Sequence, residues 1–314
     1  MTIFKKGVVI MTALTAGPGI ATAIAEPQDE AAIRTIVESV AVLADRGNFE
    51  SLETLYADEI EVDYTSLTGG EVEIRSPRSL MNQWAAVLPG FDRTRHQISD
   101  ISVEVSGTRA TATAAVTADH YIGELFWQVT GRYRYQLVRD DAVWRIAAHR
   151  FELHDEAGTR DVFGPASENA AANPPAFVIR QRTAQTVRDF LTALETKDME
   201  KFAGVWADDA VQDMPYSPDG FPKRVSGKAN LLAHYSGWPE TAGEADFTSK
   251  LVFYPMQDPE MVFVEFSGDV AIVPTGRQYK QTYGGLFHVV NGKIKLFREY
   301  YDPAPFRYAF GLDE

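Results

Sequence analysis

The chain has 314 residues, of which 45% are hydrophobic and 11% aromatic, enough to build cores in two globular domains. Its 44 acidic residues outnumber the 30 basic ones and give a net charge of −14 at pH 7, so we expect neither nucleic acid nor a membrane as a partner. The lack of cysteine excludes disulfides, thiolate nucleophiles and cysteine-ligated metals, and neither a Gly-rich phosphate loop nor an H-E-x-x-H motif occurs. We therefore expect chemistry on carboxylates, imidazoles and phenols, with no cofactor and no metal.

The first 25 residues, MTIFKKGVVIMTALTAGPGIATAIA, have the form of a secretory signal peptide. Two lysines precede an apolar stretch, and the small-residue ending A-I-A stands directly before Glu26. A Gly-Pro-Gly sequence interrupts the apolar run, which is too short to span a membrane as a helix. We expect this segment to be removed and the mature protein to be periplasmic or secreted.

After this segment, the first half of the chain has helical patterns followed by strand patterns. Apolar residues recur with helical spacing over residues 33–44, 49–56 and 80–88. Four segments between residues 101 and 153 alternate apolar and polar residues, which is typical of half-buried antiparallel strands. This order predicts an α+β fold in which about three helices pack on a curved antiparallel sheet and close a cone-shaped barrel around an apolar pocket.

The second half of the chain repeats the first half at an offset of 150 residues. LADRGNFESLETLYADEIEVDY aligns with ALETKDMEKFAGVWADDAVQDM, and near the end of each half His149 aligns with Glu299. One offset that holds at both ends predicts two tandem copies of one fold. We assign the first domain to residues 26–160 and the second to residues 177–314, with residues 161–176, rich in Ala, Asn and Pro, as the linker.

Both halves resemble one protein superfamily. The stretches ADRGNFESLETLYADEIEVDYTSLTGG, LPGFDRTRHQIS, VTADHY and GRYRYQLVRDDAVWRIAAHRFEL resemble the SnoaL-like branch of the nuclear transport factor 2-like superfamily, and within it scytalone dehydratase, over residues 28–155. DMPYSPDGFP, HYSGWPE and GGLFHVVNGKIKLFREYYDPAPFRYAFG resemble SnoaL-like polyketide cyclases and the phenazine-biosynthesis pair over residues 177–312. The resemblance implies the cone-shaped fold. It does not imply one activity, because this fold hosts dehydratases, isomerases, cyclases and binding modules.

The resemblance to scytalone dehydratase implies four catalytic residues in the first copy. They are Asp45 in LADRG, Tyr64 in VDYTS, His96 in RTRHQI and His120 in ADHYI. Ala44 stands where that family has a tyrosine, and the polar Ser/Asn pair of the family has no counterpart in TGRYRY. These departures leave open the substrate and the acid that protonates its leaving group.

The residue types also suit an elimination when read without the resemblance. Removal of water beside a carbonyl or phenol needs a base near neutral pKa and an acid for the departing hydroxyl, and histidine is the side chain suited to both. An aspartate fixes the tautomer of one imidazole, and a tyrosine polarises an oxygen. The alternative is structural: the aspartate ends a helix, and the tyrosine and histidines are ordinary half-buried or surface residues.

The second copy lacks this constellation. Glu195 and Met214 occupy the positions of Asp45 and Tyr64, and neither histidine recurs. The resemblance to the phenazine pair implies an acid and a base at Glu299 and His234, and the alternative is that both only pack or lie on the surface. The expected substrate-binding residues are Trp84, Trp127 and Tyr133 in the first copy, and Asp213, His234, Tyr283 and Glu299 in the second.

These observations predict a cofactor-independent lyase that eliminates water from a small hydroxylated aromatic or polyketide-like substrate. A variant of this prediction adds carbon–carbon cleavage of a phenolic lignin-type dimer with release of formaldehyde. Two alternatives stay open: an isomerase or cyclase that uses carboxylates of the second copy, and a small-molecule binding protein without turnover. The sequence also leaves open a homo-oligomer or pairing of the two copies within one chain.

Overall fold

The computed structural model describes residues 19–141 and 143–312, with side chains from residue 27 onward. These residues form two compact units whose boundary lies between Asn173 and Pro174. Residues 1–18 of the predicted signal peptide lie outside the described residues. Its residues 19–25 form the start of the first helix. None of the helices between residues 19 and 312 combines the length and apolarity of a membrane span.

Within the described residues, the first unit has four helices interspersed with two short strands, then four long strands of the same six-stranded sheet, and a final helix. In chain order its elements are α1 (Gly19–Asp45), α2 (Phe49–Glu53), β1 (Tyr56–Asp63), α3 (Thr65–Thr68), β2 (Glu73–Arg75), α4 (Pro77–Ala85), a 3₁₀ turn (Leu88–Gly90), β3 (Arg93–Ser106), β4 (Arg109–Ile122), β5 (Leu125–Asp140), β6 (Val143–Gly158), a second 3₁₀ turn (Arg160–Val162) and α5 (Phe163–Ala172). The strand order is β2-β1-β6-β5-β4-β3.

Local sequence signals set the helix starts and the buried face of this sheet. Asn48 caps α2 by accepting the backbone N–H of Ser51 at 3.2 Å, and Ser76 caps α4 in the same way. Along β4 every second residue from Ala110 to Ala118 is buried, and α1 packs on β3 and β4. The inner face of the sheet therefore lies under α1, where the side chains of His96 on β3 and His120 on β4 also project.

The predicted linker over residues 161–176 is wrong for most of its length, because Phe163–Ala172 forms helix α5 of the first unit. Ala166 and Ala170 are fully or almost fully buried. A Cβ at Gly90 would lie 1.7 Å from the carbonyl oxygen of Ala166, so the helix packs directly on the turn before β3. The small residues that resemble a spacer in composition are needed for this close packing.

The second unit repeats the same order of elements. They are α6 (Ala176–Thr196), α7 (Met199–Val205), β7 (Trp206–Asp213), β8 (Arg224–Ser226), α8 (Lys228–Tyr235), α9 (Trp238–Thr241), β9 (Ala242–Asp246), β10 (Leu251–Pro255), β11 (Met261–Ile272), β12 (Arg277–Val290), β13 (Lys293–Tyr301) and α10 (Pro303–Ala309). The strand order is β10-β11-β12-β13-β7-β8, with β9 also paired to β11.

The predicted tandem α+β fold is confirmed. Strands β1 and β7 begin and end 150 residues apart, as the repeat requires. Each sheet is antiparallel apart from one pairing, because β1 lies parallel to β6 and β7 lies parallel to β13. The first strand of each unit thus joins the last strand, and the sheets are mixed.

Candidate active site

In the first unit a carboxylate holds a histidine at two points. Asp45 is the last residue of α1, and His96 lies near the start of β3. Nδ1 of His96 donates to Oδ1 of Asp45 at 2.6 Å, the His96 backbone N–H donates to Oδ2 at 2.7 Å, and Thr94 Oγ1 donates to Oδ1 at 2.9 Å. Because an ionised carboxylate only accepts, Nδ1 carries the proton of this bond, and Nε2 is the ring nitrogen that can take or give a second proton.

The electrostatics of this pair favour an ionised Asp45. Burial alone would raise the pKa of the carboxyl group, but the hydrogen bonds and charge of His96, together with Thr94, outweigh burial and hold the pKa below its usual value. The side chains of His96 and Asp45 are 11% and 23% exposed. The carboxylate can therefore stabilise an imidazolium that forms at His96.

A second histidine faces the first across the inner sheet surface. His120 on β4 lies with its ring centroid 5.5 Å from that of His96, and the two rings are almost perpendicular. It is 4% exposed and packs against Phe91 and Trp127, each at 5.0 Å between centroids. Burial, and then the charge of His96, lower the pKa of His120 to about 4, so the ring is neutral at pH 7. Within the described residues its buried Nδ1 has no hydrogen-bond partner.

These groups open onto a cavity of about 360 Å³, within the size range of small-molecule sites. Trp84, Trp127 and Phe163 form an aromatic wall of the cavity. Leu67 of α3 also lines the cavity, and we call this part its rim. No lysine or arginine lines the cavity among the described residues. The carboxylate residues Glu71 and Glu73 also line it, so the lining suits a small, partly aromatic molecule without negative charge. The polar side chains that line it include Tyr64, His96, His120 and Tyr133.

The two cavity tyrosines remain protonated phenols. Burial raises the pKa of Tyr64 and of Tyr133 well above the usual value. Both rings pack on His149, at 5.6 Å and 4.9 Å between centroids, and Nδ1 of His149 lies 3.0 Å from the hydroxyl of Tyr56. Burial lowers the pKa of His149 to about 3, so this neutral ring forms a rigid support behind the cavity.

The structure brings the predicted site residues of the first copy together. Tyr64, His96, His120, Trp84, Trp127 and Tyr133 all line the cavity, and Asp45 lies behind His96. Sequence reasoning missed two aromatic lining residues, Phe151 and Phe163. Phe163 packs on Trp127 at 4.8 Å between centroids, and it was hidden because its segment was assigned to the linker.

The second unit has its own cavity of about 270 Å³, lined mainly by aromatic residues. His234, Tyr283 and Glu299 line it, as expected for substrate-binding residues. Nε2 of Gln212 donates to Oε2 of Glu299 at 3.0 Å and to the hydroxyl of Tyr235 at 2.8 Å. Burial raises the pKa of Glu299 to about 7, so its carboxyl can hold or release a proton near neutral pH.

The placement of Asp213 in this cavity is wrong. Asp213 forms ion pairs with Arg224 and Arg298, each at 3.1 Å, and does not line the cavity. Its neighbour Gln212 is fully buried and faces the cavity groups. Because successive residues of a strand point to opposite faces, the adjacent carboxylate must point outward.

The helix-end carboxylate recurs in the second unit without a histidine. Glu195 accepts the backbone N–H groups of Phe247 and Thr248 and the hydroxyl of Thr248. A carboxylate that ties the end of the long helix to a strand backbone is therefore common to both units. The imidazole bonded to Asp45 is the feature that distinguishes the first unit chemically. Among the described residues, no three histidine, aspartate or glutamate side chains converge to hold a metal ion.

Comparison with known proteins places both units in one family. A SnoaL-like domain model matches residues 25–150, and a second SnoaL-like domain model matches residues 187–297. The uncharacterized protein YesE of Bacillus subtilis is 32% identical over 131 residues, which is 42% of this chain and 88% of YesE. A PhzA/B-like protein of Pseudomonas aeruginosa, PA3332, is 29% identical over 113 residues, which is 36% of this chain and 79% of that protein.

Solved structures were compared as well. The crystal structure of a phenazine biosynthesis-related protein of Pseudomonas aeruginosa aligns with 43% of this chain and 89% of its own, at 20% identity and a TM-score of 0.38.

Proposed function

The chain belongs to the SnoaL-like family, with two such domains in tandem, and from this premise we propose that its first unit is a cofactor-independent lyase. The proposed reaction eliminates water from a small, uncharged, hydroxylated aromatic or polyketide-like compound. The observation that supports it most strongly is the Asp45–His96 pair, whose imidazole lies edge-on to neutral His120 at an aromatic-lined cavity.

The proposed mechanism uses His96 as the base. Its free Nε2 takes the proton from the carbon beside a carbonyl or phenol-stabilised centre, and Asp45 stabilises the imidazolium. The electrons of that C–H bond form the new double bond as the C–O bond to the hydroxyl breaks. The imidazolium returns the proton to the departing hydroxyl, which leaves as water, while His120 and Tyr64 donate hydrogen bonds to the remaining substrate oxygen.

A histidine exchange tests this proposal directly. Uncharged β-hydroxy ketones that carry a phenol ring serve as substrates, and the ultraviolet absorbance of the conjugated product reports turnover. We expect His96→Ala combined with His120→Ala to reduce turnover by at least about 100-fold, the usual contribution of general acid–base catalysis. His154→Ala, which removes an exposed imidazole from the same sheet, is the control. Full activity in the double variant would refute the proposal.

Carbon–carbon cleavage is a variant of the same proposal. Loss of water from a phenolic benzylic alcohol gives a quinone methide, and an adjacent hydroxymethyl group then leaves as formaldehyde when its C–C bond breaks and its O–H proton is released. Trapping of formaldehyde in step with substrate consumption separates this variant from simple dehydration.

The second candidate function is an isomerase or cyclase in the second unit. It is favoured by Glu299, a buried carboxyl that can exchange a proton near pH 7 beside Tyr235 in an aromatic cavity. If Glu299→Gln abolishes turnover and the histidine variants do not, the reaction belongs to the second unit. The third candidate is a binding protein. It is supported if a bound ligand is recovered chemically unchanged after long incubation and neither Glu299→Gln nor the histidine variants alter that result.

We also propose that the protein is exported, because residues 1–25 have the pattern of a signal peptide. Expression of the full chain in a Gram-negative host, followed by N-terminal sequencing of the periplasmic fraction, tests this. A mature N-terminus near Glu26 is expected, and retention of Met1 in the cytoplasmic fraction contradicts it.

A further inference from the structure

An ion pair outside the first cavity holds one of its aromatic walls. The indole Nε1 of Trp127 donates to Oε1 of Glu156 at 2.6 Å. The guanidinium of Arg160 donates to both oxygens of the same carboxylate, at 2.5 Å and 2.7 Å. The other side of the Trp127 ring system packs on His120, 5.0 Å between centroids. The carboxylate thus determines how the indole lies against a proposed functional histidine.

The same arginine also reaches the rim of the cavity. Nη2 of Arg160 donates to the carbonyl oxygen of Leu67 at 3.0 Å, and Leu67 belongs to α3 and lines the cavity. The chain can place Arg160 here because Gly158 has a φ of +83°. A Cβ at Gly158 would lie 2.2 Å from the carbonyl oxygen of Phe126, so only glycine fits. One short segment therefore bonds to two lining residues of the cavity, Trp127 and Leu67.

The second unit has aromatic residues at the aligned sequence positions. At the 150-residue offset, Phe306 and Phe310 align with Glu156 and Arg160, and both line the second cavity. Their rings stack at 4.4 Å between centroids. The elements differ, because Glu156 lies on β6 whereas Phe306 lies on α10. The first unit thus has a charged pair that does not line its cavity where the aligned residues of the second unit are apolar.

We propose that Glu156 and Arg160 are positioning residues that set the width of the first cavity. The Glu156 carboxylate holds the Trp127 ring, and the Arg160 guanidinium holds the Leu67 carbonyl. The distance between these two lining residues then determines which ligand sizes the cavity accepts. Charge-assisted hydrogen bonds are directional enough for this role. As an exposed ion pair, with side chains 28% and 51% exposed, it contributes little to global stability. The proposal rests on the proposed function only in taking this cavity as the ligand site.

The structure provides a closely matched control. Arg134 and Glu152 form an ion pair at 2.8 Å on the same sheet, with side chains 52% and 29% exposed, and neither residue lines the cavity. Glu152→Gln therefore removes a similar charge from a similar environment without affecting Trp127. A difference between Glu156→Gln and Glu152→Gln reports the position of the pair rather than the loss of a surface charge.

The experiment measures binding of two uncharged phenols of different size, 2-naphthol and 1-hydroxypyrene, by isothermal titration calorimetry. We expect Trp127→Phe, which removes the indole donor together with one ring of the side chain, and Glu156→Gln, which leaves the indole in place, each to raise the Kd of 2-naphthol about five- to tenfold and to reduce the discrimination between the two phenols. The double variant should bind no more weakly than the weaker single variant, because both changes break one connection. Arg160→Met should reduce discrimination by releasing the rim.

Three results would overturn the proposal: equal Kd values for Glu156→Gln and Glu152→Gln, an unchanged ratio of the two Kd values in all variants, or no binding of either phenol to the native protein. Thermal unfolding checks that each variant is folded. If Glu156→Gln does not fold, Trp127→Phe alone tests the connection. The assay needs no turnover, so the same measurements on the His96→Ala, His120→Ala background separate failure of this proposal from failure of the proposed reaction.

Discussion

Both carboxylate oxygens of Asp45 accept hydrogen bonds from His96, Oδ1 from the ring Nδ1 at 2.6 Å and Oδ2 from the backbone N–H at 2.7 Å. The two bonds fix the carboxylate with respect to the strand and the imidazole with respect to the carboxylate. The ring therefore cannot flip without losing a charge-assisted hydrogen bond, and its Nε2 stays available to a ligand.

Replacing this carboxylate by an amide should separate its two roles. In Asp45→Asn one oxygen still accepts from the strand, but the amide NH₂ opposes Nδ1 and selects the wrong tautomer. We expect turnover of the phenolic β-hydroxy ketones to fall about 100-fold or more and the free energy of unfolding to fall by about 1 to 2 kcal/mol. Steady-state kinetics and urea unfolding measure the two effects.

The second unit provides the control for this change. Glu195→Gln alters the equivalent helix-end carboxylate, which bonds only backbone and a hydroxyl. It should lower the free energy of unfolding to a similar extent and leave elimination in the first unit unchanged. Equal loss of turnover in both variants would contradict a catalytic role for Asp45.

The buried His149 should make stability dependent on pH. Burial lowers its pKa from 6.5 in the unfolded chain to about 3, so the unfolded state binds more protons throughout that window. Stability due to the neutral ring is therefore complete above pH 6.5 and is lost as the pH falls towards 3. Relative to His149→Phe, the native protein should lose about 3 kcal/mol between pH 7 and pH 4.

Urea unfolding of the native protein and of His149→Phe at pH 7 and pH 4 measures this loss. The other titrating groups contribute equally to both proteins and cancel in the comparison. His154→Gln, at an exposed position of the same strand, should behave like the native protein. Parallel stability curves for the native protein and His149→Phe would show that the ring is not buried in its neutral form.

Glu299 should have the opposite effect in the second unit. Burial raises its pKa from 4.5 to about 7, so the folded state binds more protons between those values and stability falls as the pH rises through this window. Glu299→Gln keeps an acceptor for Gln212 and removes the charge. It should be more stable than the native protein at pH 8 by up to about 3 kcal/mol, and equal to it at pH 4.

Denaturant unfolding of the second-unit transition at the two pH values provides the measurement. Exposed Glu244→Gln is the control, because its carboxylate remains solvated in the folded protein. If the free energy of unfolding changes between pH 4 and pH 8 by the same amount in Glu299→Gln as in the native protein, Glu299 does not have a pKa raised by burial.

Two glycines with positive φ should differ sharply in their tolerance of alanine. At Gly158 (φ +83°) an added Cβ meets the Phe126 carbonyl oxygen, whereas at Gly123 (φ +56°) it meets nothing within 4 Å. We expect Gly158→Ala to lower the free energy of unfolding by about 3 kcal/mol and Gly123→Ala by about 1 kcal/mol. Urea unfolding compares them, and equal losses would show that the close approach to Phe126 does not constrain the chain.

The sequence by itself determined the architecture of this protein and the types of its functional groups. Alternation of apolar and polar residues predicted strands between residues 101 and 153, the range in which β4 and β5 lie, because a half-buried antiparallel strand imposes a period of two. The 150-residue repeat determined that the fold occurs twice. The resemblance to scytalone dehydratase singled out His96 and His120, which the structure places 5.5 Å apart.

Only the tertiary structure decided which partner each polar or small residue has. The short acidic strands β1 and β7 lie parallel to the last strand of each sheet, a pairing between distant parts of the chain that no local pattern reveals. Helix α5 packs its alanines against Gly90, and Asp213 points outward to form ion pairs. The Trp127–Glu156 bond joins the neighbouring strands β5 and β6. Local sequence determines the period of an element, whereas burial, register and charge pairing arise from residues distant in the chain.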